Sequence, residues 1–236
     1  LAELGHEVKV ILPLYGKIKS NEKLMSKLSF VTSFDTSLSW RNQYTGIYRE
    51  GEGNNPEYIF VDNEYYFCRN NGNAIYGDMD DGERFAYFSK ALINALSVVG
   101  FTPDAIHCND WQTGPIPVFL DTFYDNPFYR GIKTVMTIHN LKFQGIFPID
   151  FIEELLNLGS LAYTKDSLEF YGMCSFMKGG IVYADEINTV SPTYAEEIQT
   201  AYYGERLDGL LRARRNSLSG VLNGLDVEGF DPAADG

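Results

Sequence analysis

Between residues 81 and 100, apolar side chains recur at Phe85, Phe88, Leu92, Leu96 and Val99, the three-and-four spacing of a helix with one buried face. Asp81 and Glu83 fill its first turn and Gly100 stops it. Upstream, from 28 to 62, apolar and polar residues alternate between glycine turns, as in Tyr44-Thr45-Gly46-Ile47-Tyr48 and Tyr58-Ile59-Phe60-Val61. That pattern predicts antiparallel or edge strands. Downstream the rhythm becomes strand, loop, helix. Strands are expected at 104–108, 133–138 and 186–190, with helices over 114–124, 149–156 and 175–184, and another starting at Ser191-Pro192. Such alternation implies right-handed crossovers, so the expected fold class is α/β, a doubly wound and mostly parallel sheet with antiparallel edge strands.

Both ends of the chain read as cut. Leu1-Ala2-Glu3-Leu4-Gly5-His6 resembles the last turn of a helix capped by Gly5 and running into a strand at 8–12. Val221-Leu222-Asn223-Gly224-Leu225-Asp226 reads as a strand and turn before a short polar tail. A fragment of a larger protein is the expectation.

Composition narrows the partners. With 19 Lys and Arg against 32 Asp and Glu, the net charge of -13 opposes nucleic acid phosphates and anionic membranes alike. The basic cluster Arg212-Ala213-Arg214-Arg215 is better explained as closing a helix C-terminus. Cys68, Cys108 and Cys174 are far apart and form no paired motif, which excludes a disulfide framework and a zinc ribbon and suits a reducing compartment. The apolar runs are too short to span a bilayer, and no repeat or low-complexity stretch is present.

Candidate chemistry gathers where strands end. In open α/β sheets ligands bind beyond the carboxyl ends of the strands. His107-Cys108-Asn109-Asp110-Trp111-Gln112 ends one strand, His139-Asn140 a second and Asn223-Gly224 a third. A carboxylate, amides, an imidazole and the flat face of Trp111 form the mixture that binds sugars. Each residue alone has a plainer explanation. Asp after a strand is most often a turn residue, a lone His can be a satisfied core group, and Asn-Gly is a common tight turn. Only their joint placement favours a site. Gly179-Gly180 inside a helix is read as close packing rather than approach to a sugar.

Longer motifs carry a resemblance. Tyr76-Gly77-Asp78 through Phe85, His107 to Gln112, Thr137-Ile138-His139-Asn140-Leu141 with Phe143-Gln144-Gly145, Phe176-Met177-Lys178-Gly179-Gly180, Thr189 to Ala195 and Ser219 to Asp226 occur in order over nearly the whole chain. In these the chain resembles the amino-terminal domain of bacterial glycogen synthases and plant starch synthases. The resemblance implies a Rossmann-like domain that forms one half of a two-domain GT-B glycosyltransferase. It further implies a retaining enzyme that moves glucose from ADP-glucose to the 4-hydroxyl at the non-reducing end of an α-1,4-glucan. On it, Asp110 and His139 are the catalytic candidates, and Tyr76, Asn140 and Asn223 are the substrate-binding ones.

The same resemblance implies what is not here. Residues 1–236 correspond to a glucan-acceptor domain without its first strand, its Lys-Thr-Gly-Gly phosphate loop and the second, nucleotide-binding domain, so the chain by itself is expected to be inactive. No cofactor and no metal are expected. The partners are ADP-glucose, the glucan and the missing carboxy-terminal domain, with no nucleic acid and no membrane, in a bacterial cytoplasm rather than a plastid. A double-displacement hydrolase needs two carboxylates about 5 Å apart. Only Asp110 is available at a strand end, which weighs toward a transferase. Two alternatives stay open: another retaining GT-B enzyme, such as one making sucrose or trehalose, and a non-catalytic glucan-binding module using the 16 Tyr, 16 Phe and 2 Trp as stacking surfaces.

Overall fold

The computed structural model describes residues 1–51, 53, 55–69, 75–122, 125–159, 162 and 164–225. A short 3-10 turn, Ala2–Leu4, ends on Gly5 at φ 87° and leads into β1 (Lys9–Pro13). Two one-turn helices, α1 (Gly16–Lys19) and α2 (Glu22–Met25), precede the long hairpin of β2 (Leu28–Leu38) and β3 (Arg41–Glu50). The chain then forms β4 (Glu57–Asp62) and α3 (Glu64–Phe67).

The helix read from the apolar spacing is α4 (Asp81–Val98), stopped before Gly100 at φ 67°. It buries Phe85, Phe88, Leu92 and Leu96 at the centre of the main hydrophobic core. Beyond it come β5 (Ala105–Asn109), α5 (Asp110–Thr113), α6 (Pro115–Thr122) and β6 (Lys133–Ile138). They are followed by β7 (Ile146–Pro148), α7 (Phe151–Glu154), β8 (Glu169–Phe170) and β9 (Met173–Ser175). The last elements are α8 (Phe176–Tyr183), β10 (Glu186–Thr189), α9 (Pro192–Glu197), α10 (Asp208–Ala213) and β11 (Leu218–Gly220).

The expected α/β class is borne out, with the strands falling into two four-stranded sheets and a small third one. The first has the order β1-β4-β3-β2, with β1 and β4 parallel and β3 and β2 antiparallel, so the alternating segment supplies antiparallel strands as expected. The second, β11-β10-β6-β5, is parallel throughout. A small antiparallel sheet, β7-β9-β8, lies beside it. β1 and β5 each form a parallel edge of their sheet, as β11 does at the far side of the second, and Lys9 at the start of β1 sits over the ring of Phe101 just ahead of β5.

Local chemistry explains several boundaries. Ser175 caps α8 by accepting from the Lys178 N–H, and Ser191 caps α9 from the Tyr194 N–H with Pro192 behind it, as the Ser-Pro pair foretells. Gly179 and Gly180 are packing glycines. A Cβ on Gly180 would stand 3.1 Å from the Gly114 Cα and 3.0 Å from the Met136 sulfur, and one on Gly179 would stand 3.1 Å from Val118. The basic cluster closes helices in two ways. It ends α10, and the Arg214 guanidinium reaches across to donate to the carbonyls of Ile181, Val182, Ala184 and Asp185 at the end of α8.

The reading of 221–226 needs correction. β11 ends at Gly220, residues 221–225 are irregular and exposed, and Asp226 lies outside the described residues. The backbone packs closely at Gly220, where a Cβ would fall 2.2 Å from the Ser191 carbonyl oxygen. After a last ladder bond from the Val221 N–H to Thr189, the chain leaves the sheet.

Candidate functional site

All four strands of the second sheet point the same way, so Asp110, His139, Thr189 and Gly220 mark one common edge of the molecule. Two of the expected site residues meet directly there. Asp110 Oδ1 accepts the backbone N–H of His139 at 2.9 Å, and His139 Nε2 donates to Asn109 Oδ1 at 3.0 Å. The neighbouring ends of β5 and β6 are thereby tied at two points. Nε2 is engaged with Asn109, so Nδ1 is the ring nitrogen left to meet a ligand hydroxyl.

Asp110 holds a special backbone position. It is the first residue of α5 yet has φ 55°, a left-handed conformation that Asp and Asn reach more easily than other side-chain-bearing residues. Its side chain does not cap the helix. The carboxylate turns instead to β6, while the Thr113 hydroxyl takes up the carbonyls of Asn109 and Asp110. The sharp turn is fixed from behind, where Trp111 is buried (7% exposed) and a Cβ on Gly114 would fall 2.2 Å from the Phe176 carbonyl oxygen.

Trp111 is therefore not a sugar platform. Its ring meets Phe85 edge-on and lies against Phe147, and the backbone of Gly145 passes so close that a Cβ there would be 2.4 Å from the indole. The indole is the floor under residues 139–145. Its aromatic character suggests stacking in sequence, but its position after a strand and before a close-packed glycine makes it core.

The remaining candidates are spread along the same edge. Asn140 is exposed, and its Oδ1 accepts the Lys142 N–H, shaping the loop that follows β6. Gln144, buried in that loop, donates to the Glu205 carbonyl and so fastens it to the turn before α10. Asn223 is exposed beyond β11, two strands away from β6 in the sheet order. It forms no hydrogen bond to Asp110 or His139 among the described residues. Tyr76 stands on a different loop, ahead of α4, with 60% of its surface exposed. The fold thus joins Asp110 to His139 and leaves Tyr76 and Asn223 as outlying members.

Sequence reasoning missed a second row of polar groups. The Thr137 hydroxyl donates to Asn188 Oδ1 and accepts from His107 Nε2, a chain across β5, β6 and β10 one step below the site. Burial, reinforced by the nearby His139, holds the His107 imidazole below its ordinary pKa and so favours its neutral form. The signal is present in the alternation of His107 and Asn109 on one face of β5, but only strand register shows that Thr137 and Asn188 meet it.

Hollows elsewhere do not compete for this role. One of about 310 Å³ is lined by Val118, Leu158 and Tyr183, and another of about 260 Å³ by Tyr129, Lys133 and Asp185. Lys133 and Asp185 precede or begin β6 and β10, so the second hollow lies at the opposite end of the sheet from His139, and the first adjoins it through Asp121 and Tyr183. The strand-end site is an open wall, with Asn109, His139 and Asn140 all exposed. No group of His, Cys, Asp and Glu among the described residues is arranged to hold a metal ion.

The profile of the family described as "Starch synthase catalytic domain" matches residues 1–213. The chain belongs to that family. The chain is 52% identical over its whole length to the glycogen synthase of Anoxybacillus flavithermus and 52% identical to that of Geobacillus stearothermophilus, covering 48% and 47% of them. Against the glycogen synthase of Clostridium perfringens it is 50% identical over all of this chain and 48% of that protein. Among solved structures, the catalytic domain of starch synthase IV from Arabidopsis thaliana, bound to ADP and acarbose, superposes with a TM-score of 0.87. That match has 27% identity and covers 99% of this chain and 48% of the other. The chain therefore spans about half the length of the curated relatives it matches. Its sheets agree with a GT-B half.

Proposed function

We propose that this starch synthase domain is the acceptor-side half of a retaining glucosyltransferase that moves glucose from ADP-glucose to the 4-hydroxyl at the non-reducing end of an α-1,4-glucan. The observation that carries the reading is the Asp110–His139–Asn109 knot at the ends of β5 and β6, in a chain that matches the family over residues 1–213. In it Asp110 and His139 face the reacting sugar, and Asn140, Asn223 and Tyr76 contact substrate. ADP is the donor nucleotide by relationship to the glycogen synthases and to a starch synthase solved with ADP. The bacterial relatives favour a bacterial cytoplasm over a plastid.

Glucosyl transfer develops positive charge at the sugar ring and negative charge on the departing diphosphate. Asp110 supplies a carboxylate for the ring side. Asp110, Asn109, His139 and Asn140 bring no fixed cation for the diphosphate, and the domain as a whole carries -13. A second domain that closes over the open wall would supply that charge and exclude water, which is why residues 1–236 by themselves are inactive in this reading. The sheets support a missing layer as well. Ala105, His107 and Asn109 on β5 are exposed, whereas both faces of parallel sheets are normally covered. A strand and helix from the rest of the protein would fill the edges of β1 and β5.

The test uses the full-length protein with ADP-glucose or UDP-glucose and soluble glycogen, following glucan-bound glucose and the anomeric configuration by NMR. Transfer from ADP-glucose into new α-1,4 linkages is expected, with no turnover by residues 1–236 alone. Transfer to a monosaccharide in place of glucan, a β-linked product, or turnover by the isolated domain would overturn the corresponding part of the reading.

A further inference from the structure

The first turn of α4 holds buried charge that the strand-end site does not use. Arg84 is 1% exposed and its Nε has no hydrogen-bond partner among the described residues, so its buried charge rests on what Nη1 and Nη2 meet. Its Nη1 lies 2.8 Å from Asp78 Oδ2 and 3.3 Å from Asp81 Oδ1, and its Nη2 donates to the Ile75 carbonyl. Asp81, also buried, accepts the Gly77 N–H on Oδ2 at 2.5 Å. The guanidinium rests against the ring of Phe85.

These partners share one property. The Ile75 carbonyl belongs to the peptide group before Tyr76, and the Gly77 N–H to the peptide group after it. Both peptide planes that set the backbone angles of Tyr76 are therefore gripped by the Arg84–Asp81 pair, while the tyrosine side chain projects outward. Asp78 is held by the same guanidinium, and Asp80 by Arg69 from the other side. Among the described residues, the hydrogen-bond and ion-pair partners of this buried cation lie between residues 75 and 81. Gly77 at φ 108° completes the turn.

We propose that Arg84, acting with Asp81, is a positioning residue for Tyr76. Its planar fork holds the 75–78 turn so that the Tyr76 ring is presented to the sugar before substrate arrives. The proposal rests on the reading of Tyr76 as a substrate contact. Lysine cannot replace Arg84 here, because a single ammonium on a flexible stem cannot serve Asp78, Asp81 and the Ile75 carbonyl in one plane.

The experiment is a double-mutant cycle in the full-length enzyme, with glucose transfer from ADP-glucose to glycogen as readout and circular dichroism and melting as controls for folding. Tyr76→Ala and Arg84→Lys are each expected to lower kcat/KM, Arg84→Lys by about tenfold to a hundredfold, the scale of a misplaced contact. The double variant should be no worse than Tyr76→Ala within about twofold, because Arg84 has nothing left to position once the ring is gone. Should Arg84→Lys fail to fold, Asp78→Ala, on the more exposed side of the turn, enters the same cycle. If Tyr76→Ala is impaired and the losses multiply, Arg84 only stabilises the fold and the proposal fails. If Tyr76→Ala retains full activity, the substrate role of Tyr76 fails and the proposal falls with it.

Discussion

Replacing Asp110 with asparagine keeps an acceptor for the His139 N–H and a side chain tolerant of φ 55°, but removes the charge. Replacing it with alanine removes all three. A hydrogen bond to a carboxylate contributes about 1.5–3 kcal/mol when shielded, and the partial exposure of Asp110 reduces this to about 1 kcal/mol. Alanine in the left-handed region costs about another 1 kcal/mol, a strain that Asp and Asn largely escape. The sum of about 2 kcal/mol corresponds to a melting point lower by roughly 4–8 °C for a domain of this size. Asp110→Asn should lose less than about 1 kcal/mol, or under roughly 4 °C. Thermal denaturation of residues 1–236 reads the first quantity, and glucose transfer by the full-length protein reads the second. The Asp110→Asn variant should melt close to the parent yet transfer little glucose, whereas Asp110→Ala should lose both stability and transfer. Equal melting points for the two variants would refute the account of the turn. Parental turnover by Asp110→Asn would refute the need for a charge at the site.

Three other outcomes follow from local geometry. Gly145→Ala forces a Cβ to within 2.4 Å of the Trp111 ring at φ 57°, so it should cost about 3 kcal/mol from overpacking and strain together. Gly100→Ala, left-handed but with open space around it, should cost only about 1 kcal/mol, and urea midpoints that fail to separate the two would contradict the packing argument. Burial pushes the Asp185 carboxyl up, but bonds from Lys133 and Thr134 outweigh this and hold it below the ordinary carboxylate range. Its contribution is therefore present above about pH 4 and lost as pH falls below that, so Asp185→Asn should be less stable by about 1 kcal/mol at pH 7 and converge with the parent toward pH 2–3. A gap that stays constant down to pH 2 would show that the carboxylate is not the cause. Arg214→Ala frees the carbonyls of Ile181, Val182, Ala184 and Asp185, and hydrogen exchange should quicken at the end of α8 while the amides of α4 stay protected.

The elements visible in sequence are those whose pattern repeats. α4 carries Phe85, Phe88, Leu92 and Leu96 on one face, with Val99 at its C-cap, and the Ser-Pro start of α9 combines two independent signals, so both are legible. α5 is not, because four residues contain no period and its first residue has a backbone angle that no propensity favours. The parallel sheet can be read from the alternation of strands and helices. Its division into two sheets cannot, because strand neighbours depend on hydrogen bonds between distant segments. The site divides along the same line. The Asp110 and His139 contact follows from both residues ending strands, whereas the place of Trp111 is hidden because aromatic character does not disclose which side of a turn the ring takes. Arg84 carries no signal at all, since an arginine four residues into a helix ordinarily faces water.

Burial ties these observations together. Several buried polar groups hold a neighbouring segment: Arg84 and Asp81 grip the turn of Tyr76, Gln144 pins the loop after β6, and Lys178 donates to the carbonyls of Lys165 and Glu169. Asn109, His139 and Asn140 at the common strand edge are exposed. Rigid supports behind an open wall are what a half-site requires. In the proposed reading, substrate enters before a second domain covers it, so the wall is open and its groups are oriented beforehand. The same division predicts where variation is tolerated. Substitutions in the supports should disturb folding and positioning together, whereas those at the exposed edge should alter sugar transfer and leave the melting point almost unchanged.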